Sequence, residues 1–290
     1  MSEDADPQGR LRDEQVSLGE LEFSTWMTGE RSARPVLFLH GFPQTRHTSR
    51  EQLPAVARAG HRGIAPDQRG YSPGARPDDP QQYRTDLLLG DVVRWIDWAG
   101  GSVDLVGHDW GGQLAWLTAA HHPTRVRSLT VLSRPHPAAF ARSFEADESQ
   151  AERSKHHKAF FDPTTVDRLL ADDARRLRRM LANSAVPDAD IDAYLSVLGE
   201  PAALEAAVNW YRGTPPEGLR LTDTPVVEVP TLYLWGTADH SVGRAAAELT
   251  GSFVAASYHF VELEGGGHFL TDDGCSAAVT DALLGHLAAT

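Results

Sequence analysis

The 290-residue sequence has a single cysteine, Cys275, and no excess of basic residues. One cysteine cannot form an internal disulfide, and it excludes a cysteine-rich zinc site. Lys and Arg number 27 against 40 Asp and Glu, which gives a formal net charge of −13 at pH 7. Surfaces that bind nucleic acid or an anionic membrane are basic, so we expect neither partner.

The sequence also lacks a long hydrophobic run. No apolar segment approaches the length of about 18 residues that a membrane-spanning helix needs, and residues 1–7 are acidic and polar rather than arranged as a secretory signal. We therefore expect a soluble, cytoplasmic protein. No His, Cys or Asp cluster has zinc spacing and no phosphate-binding glycine loop occurs, so the sequence predicts no metal and no cofactor.

Short apolar runs alternate with segments of helical periodicity in the first half of the chain. One or two antiparallel strands are expected within residues 16–27. Further strands are predicted at 35–40, 62–66, 102–106 and 126–132, with helices at 48–59, 83–99 and 113–120 between them. This alternation indicates an α/β fold with a mostly parallel, doubly wound sheet covered by helices on both faces.

The strand rhythm stops at about residue 137. Residues 137–224 are predicted to be helical, and strands return at 231–235 and 258–263, with helices at 243–250 and 274–288. We therefore predict a flexible tail over 1–15, a core formed by 16–136 and 225–290, and an inserted helical lid over 137–224. Nothing in the sequence argues against a homodimer formed through the lid or a sheet edge.

A glycine-rich segment joins one predicted strand to the helix that follows it. Residues 107–111 read Gly-His-Asp-Trp-Gly, which fits a sharp strand-to-helix turn with Asp109 in the position of a nucleophile. The helix N-terminus would keep this carboxylate ionised. The alternative is an ordinary glycine-rich turn in which Asp109 caps the helix.

Two further residues follow predicted strands in the same way. Asp239 comes just after the strand at 231–235, and His268 after the strand at 258–263. Taken singly, Asp239 is typical of a turn and His268 of a loop. Together they give the chain order nucleophile, acid, histidine, at the strand ends where parallel sheets bind ligands.

These motifs resemble the epoxide hydrolase branch of the α/β-hydrolases, whose close neighbours are the haloalkane and haloacid dehalogenases. The resemblance rests on the Asp109 turn, on residues 40–43 (His-Gly-Phe-Pro) and on residues 67–72 (Asp-Gln-Arg-Gly-Tyr-Ser). It covers about 35–135 and 225–290 and extends into the lid. It implies that Asp109 attacks the substrate to form an ester.

A carboxylate is already ionised at neutral pH, so this attack needs no base. The pair His268 and Asp239 would then activate the water that hydrolyses the ester. The backbone N–H groups of Phe42 and Trp110 would form the oxyanion hole.

The lid motif at residues 209–212, Asn-Trp-Tyr-Arg, is similar to one in which the tyrosine donates a proton to the epoxide oxygen. Tyr211 is therefore expected to be a ring-opening acid, although an isolated tyrosine on a helix is more often simple packing. The family usually has a second, earlier lid tyrosine, and residues 153–161 contain none. The alignment places His157 there, with His156 as the fallback; alternatively, His157 is a solvated residue in a basic run.

Two other functions are compatible with the sequence. A dehalogenase would use the same Asp109 ester with Trp110 and Trp210 as halide donors. However, Phe42 has no side-chain donor where haloalkane members often have Asn, and Trp110 stands where haloacid members typically have Arg. A non-catalytic binding protein would have no need of all three residues Asp109, Asp239 and His268.

The expected partners are water and an apolar or aromatic epoxide. This expectation rests on the aromatic residues of the lid and the turn, and the substrate-binding candidates are Trp110, Trp210, Phe160 and Phe161.

Overall fold

One sheet forms the centre of the protein, which is described here by a computed structural model. Residues 9–146, 148–214 and 221–290 are described, and for 145, 146, 148, 149, 151 and 155–157 only the backbone is. The strands within these residues are β1 (Arg12–Leu18), β2 (Leu21–Thr28), β3 (Pro35–Leu39), β4 (Arg62–Pro66), β5 (Val103–His108), β6 (Val126–Leu132), β7 (Thr231–Gly236) and β8 (Tyr258–Leu263).

The strands lie in the order β1-β2-β4-β3-β5-β6-β7-β8. Strand β2 pairs antiparallel with β1 and with β4, and the other neighbours are parallel. The predicted α/β fold with a mostly parallel sheet is therefore confirmed. Because β3 to β8 run in one direction, their carboxyl ends meet at the same edge of the sheet.

Helices cover both faces of this sheet. The described helices are α1 (Gln52–Arg58), α2 (Thr85–Trp98), α3 (Trp110–His121), α4 (Pro137–Ala146), α5 (Glu148–Arg153), α6 (Thr165–Ala182), α7 (Asp188–Leu198), α8 (Pro201–Gly213), α9 (Arg244–Leu249) and α10 (Ser276–Ala289). Successive residues of a strand point to opposite faces. In β3, Val36 and Phe38 pack in the cluster that contains α1 and α10, whereas Leu37 and Leu39 pack in the cluster that contains α2, α3 and α9.

The first strand corrects the expectation of a tail over residues 1–15. Strand β1 begins at Arg12 and pairs in full with β2. Its charged residues suit an edge strand, where alternate side chains face solvent. Asp13, for example, accepts two hydrogen bonds from the guanidinium of Arg46, at 3.0 and 2.8 Å. Residues 1–8 lie outside the described part of the chain.

Helices α4 to α8 lie between β6 and β7 in the chain, and we call them the lid. Helix α6 is interrupted, because Asp172, Asp173 and Ala174 have φ values of 54°, 56° and 54°. The lid is held to the core by buried polar contacts, among them the hydroxyl of Tyr194, which donates to Asp272 at 2.6 Å. Across the described residues, we find no helix with both the length and the apolar character for a membrane crossing.

A buried ion pair supports the contact between core and lid. The guanidinium of Arg69 donates to both oxygens of Asp91, at 2.7 and 2.8 Å, and to the carbonyl of Gln82 at 2.8 Å. The backbone carbonyl of Arg69 accepts a hydrogen bond of 2.7 Å from the indole of Trp210 in α8. Arg69 therefore ties the core to the lid beside the carboxyl edge of the sheet.

Removing one partner of this pair should destabilise the protein strongly. In Asp91→Ala the guanidinium of Arg69 stays buried without its carboxylate, and we expect the free energy of unfolding to fall by about 3–5 kcal/mol. Urea unfolding followed by circular dichroism measures this change. The control is Asp86→Ala, because the pair between Asp86 and Arg84 is exposed to solvent and should contribute little to stability. Equal losses in the two variants would contradict the expectation.

Candidate active site

Asp109 occupies a strained turn between β5 and α3. Its backbone has φ 50° and ψ −116°, a conformation that residues other than glycine rarely adopt. The turn is tight because α3 starts against the sheet: a Cβ atom at Gly111 would lie 2.1 Å from the carbonyl oxygen of Leu39. The reversal sends the carboxylate of Asp109 out beyond the carboxyl edge of the sheet.

The loops after β7 and β8 bring the other two predicted residues to this carboxylate. The Nδ1 atom of His268 lies 3.1 and 3.2 Å from the two carboxylate oxygens of Asp239. On the other side of the ring, Nε2 lies 3.7 Å from Oδ2 of Asp109, which is a charge contact rather than a hydrogen bond. The structure thus brings together all three residues of the predicted set, with His268 between two carboxylates.

A serine that the sequence analysis did not single out completes this group. Ser133, directly after β6, donates through Oγ to Asp239 and lies 2.8 Å from Nδ1 of His268. The backbone N–H groups of Ser241 and Val242 also donate to Asp239, at 2.7 and 3.0 Å. Burial works to raise the pKa of Asp239, but the charge of His268 and these hydrogen bonds lower it below the usual value.

The contacts between these residues set the charge of the site. Burial alone would lower the pKa of His268, but the charges and contacts of Asp239 and Asp109 outweigh it and raise the pKa to about 10. For Asp109, burial is again outweighed, chiefly by His268, and the pKa lies well below its usual range. At neutral pH the site therefore holds two carboxylates around an imidazolium ion.

One oxygen of Asp109 is already held by the backbone. The N–H group of Phe42 donates to Oδ1 at 3.0 Å, and the peptide bond between Phe42 and Pro43 is cis. The preceding His40 shapes this loop, since Nδ1 donates to the carbonyl of Gly41 at 3.0 Å and Nε2 accepts from the N–H of Gln68 at 3.1 Å. Burial lowers the pKa of His40 to about 4, so it is neutral.

A cavity of about 280 Å³ opens in front of Asp109. Both the core and the lid contribute to its wall. The wall is formed by Phe42, Pro43, Asp109, Arg134, Phe140, Ser154, Phe160, Met180, Tyr211, His240, Ser241, Val242, His268 and Phe269. Seven of these are apolar, which suits a mainly apolar ligand with a few polar groups at fixed positions.

Tyr211 reaches this cavity from the lid. Its ring stacks on Phe160 at a centroid distance of 4.3 Å and meets the edges of Phe42 and Trp110 at 5.5 and 5.2 Å. The side chain of Trp110 works to lower the pKa of its hydroxyl. Burial and the nearby Asp109 raise the pKa of Tyr211 well above 10, so the phenol is protonated at neutral pH.

The other predicted substrate-binding residues are less well placed. Phe160 lies in the cavity wall, but its neighbour Phe161 faces outward and is 40% exposed. Trp210 is buried behind Tyr211, and its indole N–H is used by the carbonyl of Arg69. Trp110 packs against the ring of Tyr211. Neither Trp110 nor Trp210 lines the cavity, whereas Phe160 does.

The second ring-opening candidate cannot be placed. The backbone of His157 lies in the 3-10 helix Lys155–Phe161, which contributes Phe160 to the wall. The side chains of His157 and of the fallback His156 lie outside the described part of the structure. The role of His157 therefore stays a prediction.

Sequence reasoning missed a group of residues after β6 and β7. Ser133 and Arg134 follow β6, and His240 follows Asp239; Arg134 and His240 line the cavity. Their position could have been expected from the sequence, because the carboxyl end of a parallel β6 lies at the same edge of the sheet as those of β5 and β7.

The fold and this geometry agree with the comparisons to known proteins. A family model described as the alpha/beta hydrolase fold matches residues 34–274, which is most of the chain. The chain is 31% identical to Epoxide hydrolase A of Mycobacterium tuberculosis over an alignment of 297 residues, which covers 88% of this chain and 91% of that protein. It belongs to the epoxide hydrolase branch of this family.

Other relatives give the same result. Epoxide hydrolase 4 of Mus musculus is 30% identical over 268 residues, covering 87% of this chain and 73% of that protein. The crystal structure of Epoxide Hydrolase A from Mycobacterium thermoresistibile superimposes with a TM-score of 0.83 at 26% identity, covering 96% of this chain and 98% of that one.

The raised pKa of His268 predicts a pH-dependent contribution to stability. The pKa rises from 6.5 to about 10 on folding, so the stabilisation from the bound proton is complete below pH 6.5 and is lost as the pH rises toward 10. The difference in the free energy of unfolding between the wild type and His268→Gln should shrink between about pH 6 and about pH 9.5.

Urea unfolding at several pH values measures this difference. His121→Gln removes an exposed histidine from the end of α3 and controls for the loss of one titratable residue. A difference for His268→Gln that stays constant, or that grows toward high pH, would show that the two carboxylates do not hold a proton on His268.

Proposed function

We propose that the protein hydrolyses an organic epoxide to a vicinal diol through a covalent ester on Asp109. The observation that carries this proposal is the position of Asp109 in the cavity, with Oδ1 held by the N–H of Phe42 and the protonated hydroxyl of Tyr211 in the same cavity wall. The names of the relatives support it, since they are epoxide hydrolases.

In the first step, Oδ2 of Asp109 attacks a ring carbon of the epoxide. The C–O bond of the ring breaks, and the oxygen that leaves becomes an alkoxide, which is a strong base and needs a proton. Tyr211 supplies it, because a phenol is far more acidic than the alcohol that forms. His157 would be a second donor to the same oxygen, since imidazole can donate an N–H in either protonation state.

The loss of charge on Asp109 prepares the second step. Once Asp109 is an ester, His268 keeps only one carboxylate partner, so the pKa of His268 falls and its proton can restore the phenol of Tyr211. Neutral His268 then takes a proton from water, and the hydroxide attacks Cγ of Asp109. The oxyanion forms on Oδ1, where the N–H of Phe42 already donates.

Collapse of this intermediate releases the diol, which carries Oδ2 away, and leaves Asp109 ionised and His268 protonated. All protons are therefore restored after one cycle. The N–H of Trp110, at the start of α3, is the proposed second donor to the oxyanion.

The two indole groups named as halide donors are not placed to bind a halide. The indole of Trp210 donates to the carbonyl of Arg69 at 2.7 Å, and Trp110 lies against Tyr211 at a centroid distance of 5.2 Å without lining the cavity. The structure therefore does not support the dehalogenase alternative with Trp110 and Trp210 as its donors.

A variant that cannot activate water should accumulate the ester. We expect His268→Gln, mixed with an aryl epoxide, to gain the whole mass of the epoxide, because ring opening expels no atom. Intact-protein mass spectrometry measures the adduct. Adding Asp109→Ala should abolish it, which assigns the ester to that carboxylate.

The same experiment separates the alternatives. A haloalkane should leave no adduct, and an adduct of the haloalkane mass minus hydrogen halide would instead identify a dehalogenase. No adduct with any of a panel of epoxides, together with tight binding of a ligand recovered unchanged, would identify a binding protein.

Tyr211→Phe should slow ester formation more than ester hydrolysis. Loss of a general acid typically slows a step by about 100-fold or more. The phenol donates its proton to the substrate only in the first step, whereas His268 can also lose its proton to solvent before the second. Rapid mixing with one equivalent of epoxide, in the His268→Gln background for the first step, separates the two rates. Tyr194→Phe is the matched control, since it removes a buried lid hydroxyl that donates to Asp272 instead. Equal slowing of both steps would contradict the role of Tyr211.

A further inference from the structure

Arg134 brings a buried positive charge into the cavity wall. Arg134 is 8% exposed and follows Ser133, just after the end of β6. Its Nε atom donates to the side-chain carbonyl of Gln113 at 2.9 Å, and its guanidinium lies 4.2 Å from the centre of the Phe140 ring. The two terminal nitrogens, Nη1 and Nη2, have no hydrogen-bond partner among the described residues.

The other buried arginines among the described residues make different contacts. Arg69 makes two hydrogen bonds to Asp91. Arg62 also lacks a carboxylate within the described residues, but its guanidinium stacks on Trp98 at 4.6 Å and its Nη2 faces the sulfur of Met27, away from the cavity. Arg134 differs from both because it combines an unpaired end with a position in the ligand cavity.

A buried guanidinium without an anion is unfavourable, since burial removes its hydration without replacing it. Burial accordingly lowers the pKa of Arg134, although the charge of the nearby Asp109, which makes no hydrogen bond to the guanidinium, partly opposes this effect. The planar fork formed by two terminal nitrogens matches the two oxygens of a carboxylate. A substrate that brought a carboxylate to this fork would supply the missing partner.

We infer that Arg134 binds a carboxylate group of the substrate, so that the substrate class is an epoxide that carries a carboxylic acid. The epoxide in this inference rests on the proposed function. The carboxylic acid rests only on the residues of the cavity. The apolar wall opposite, with Phe42, Phe160 and Phe269, would accept the hydrocarbon part. A volume of about 280 Å³ favours a compact acid, because ligand cavities commonly reach 300–1,000 Å³.

The fork is preorganised for this role by two contacts that leave its outer end unused. Gln113, in α3, fixes the Nε side of the guanidinium, and Phe140, in the lid helix α4, lies against its face. The backbone carbonyl of Arg134 accepts from the indole of Trp116 at 2.9 Å, which fixes the main chain as well. Preorganisation reduces the ordering that a ligand must impose.

The test compares two epoxides of similar shape. One is 3-phenyloxirane-2-carboxylate, and the other is 1-phenyl-1,2-epoxypropane, in which a methyl group replaces the carboxylate. The wild type should have the higher kcat/KM for the acid. Arg134→Met should lower kcat/KM for the acid by about 10- to 100-fold more than that for the neutral epoxide, as expected for a lost hydrogen bond between charged groups.

Arg134→Lys refines the result. Lysine keeps the charge but not the fork, so it should restore part of the activity on the acid. If Arg134→Met lowers kcat/KM by the same factor for both epoxides, Arg134 acts in the fold or in ring opening, and the inference is overturned. If Arg134→Met fails to fold, the test is the ratio of the wild-type kcat/KM values for the two epoxides. A value for the neutral epoxide that equals or exceeds that for the acid overturns the inference.

A binding measurement separates this inference from the proposed function. Calorimetry with 3-phenylpropanoate, which has no epoxide, should show binding to the wild type and about 10- to 100-fold weaker binding to Arg134→Met. The alcohol 3-phenylpropan-1-ol is the neutral control. Binding of the acid without turnover of any epoxide would refute the proposed function alone, whereas turnover of the neutral epoxide without binding of the acid would refute the inference alone.

Discussion

The sharp turn at Asp109 is the constraint on which the rest of the site depends. The chain reverses within one residue of positive φ, and it can do so because the backbone at Gly111 lies against the carbonyl of Leu39 at the end of β3. The same closeness of β3 and β5 brings the N–H of Phe42 within 3.0 Å of Oδ1 of Asp109. A looser turn would separate the carboxylate from its donor and from His268 together.

The electrostatics of the site follow from this placement. His268 lies between Asp109 and Asp239 in a buried environment, where charge interactions are stronger than in water. The three charges therefore depend on one another, and a change on Asp109 must alter the proton affinity of His268. In the proposed mechanism, ester formation is that change, so one step of the reaction prepares the base for the next.

Much of the fold and part of the site could be predicted from the sequence, because local patterns determine them. Asp109, Asp239 and His268 each follow an apolar run, and parallel strands bring their carboxyl ends to one edge whatever the details of packing. The direction of single side chains depends on contacts distant in sequence and could not be predicted. Trp210 turns to the carbonyl of Arg69, and Phe161 faces outward although its neighbour lines the cavity. Nor does a run of charged residues reveal that β1 already begins at Arg12.

The two proposed steps use different parts of the molecule. Ring opening needs Tyr211 from the lid opposite Asp109 of the core, whereas ester hydrolysis uses Phe42, Asp239 and His268, which all belong to the core. The neighbour of Tyr211, Trp210, holds this part of the lid in position, because its indole donates to the carbonyl of Arg69. The side chain of Arg69 is in turn fixed by its buried ion pair with Asp91. A displacement of the lid would therefore slow the first step and leave the second largely intact. The contacts between lid and core, although distant from the reacting atoms, bear on the chemistry through the position of one hydroxyl group.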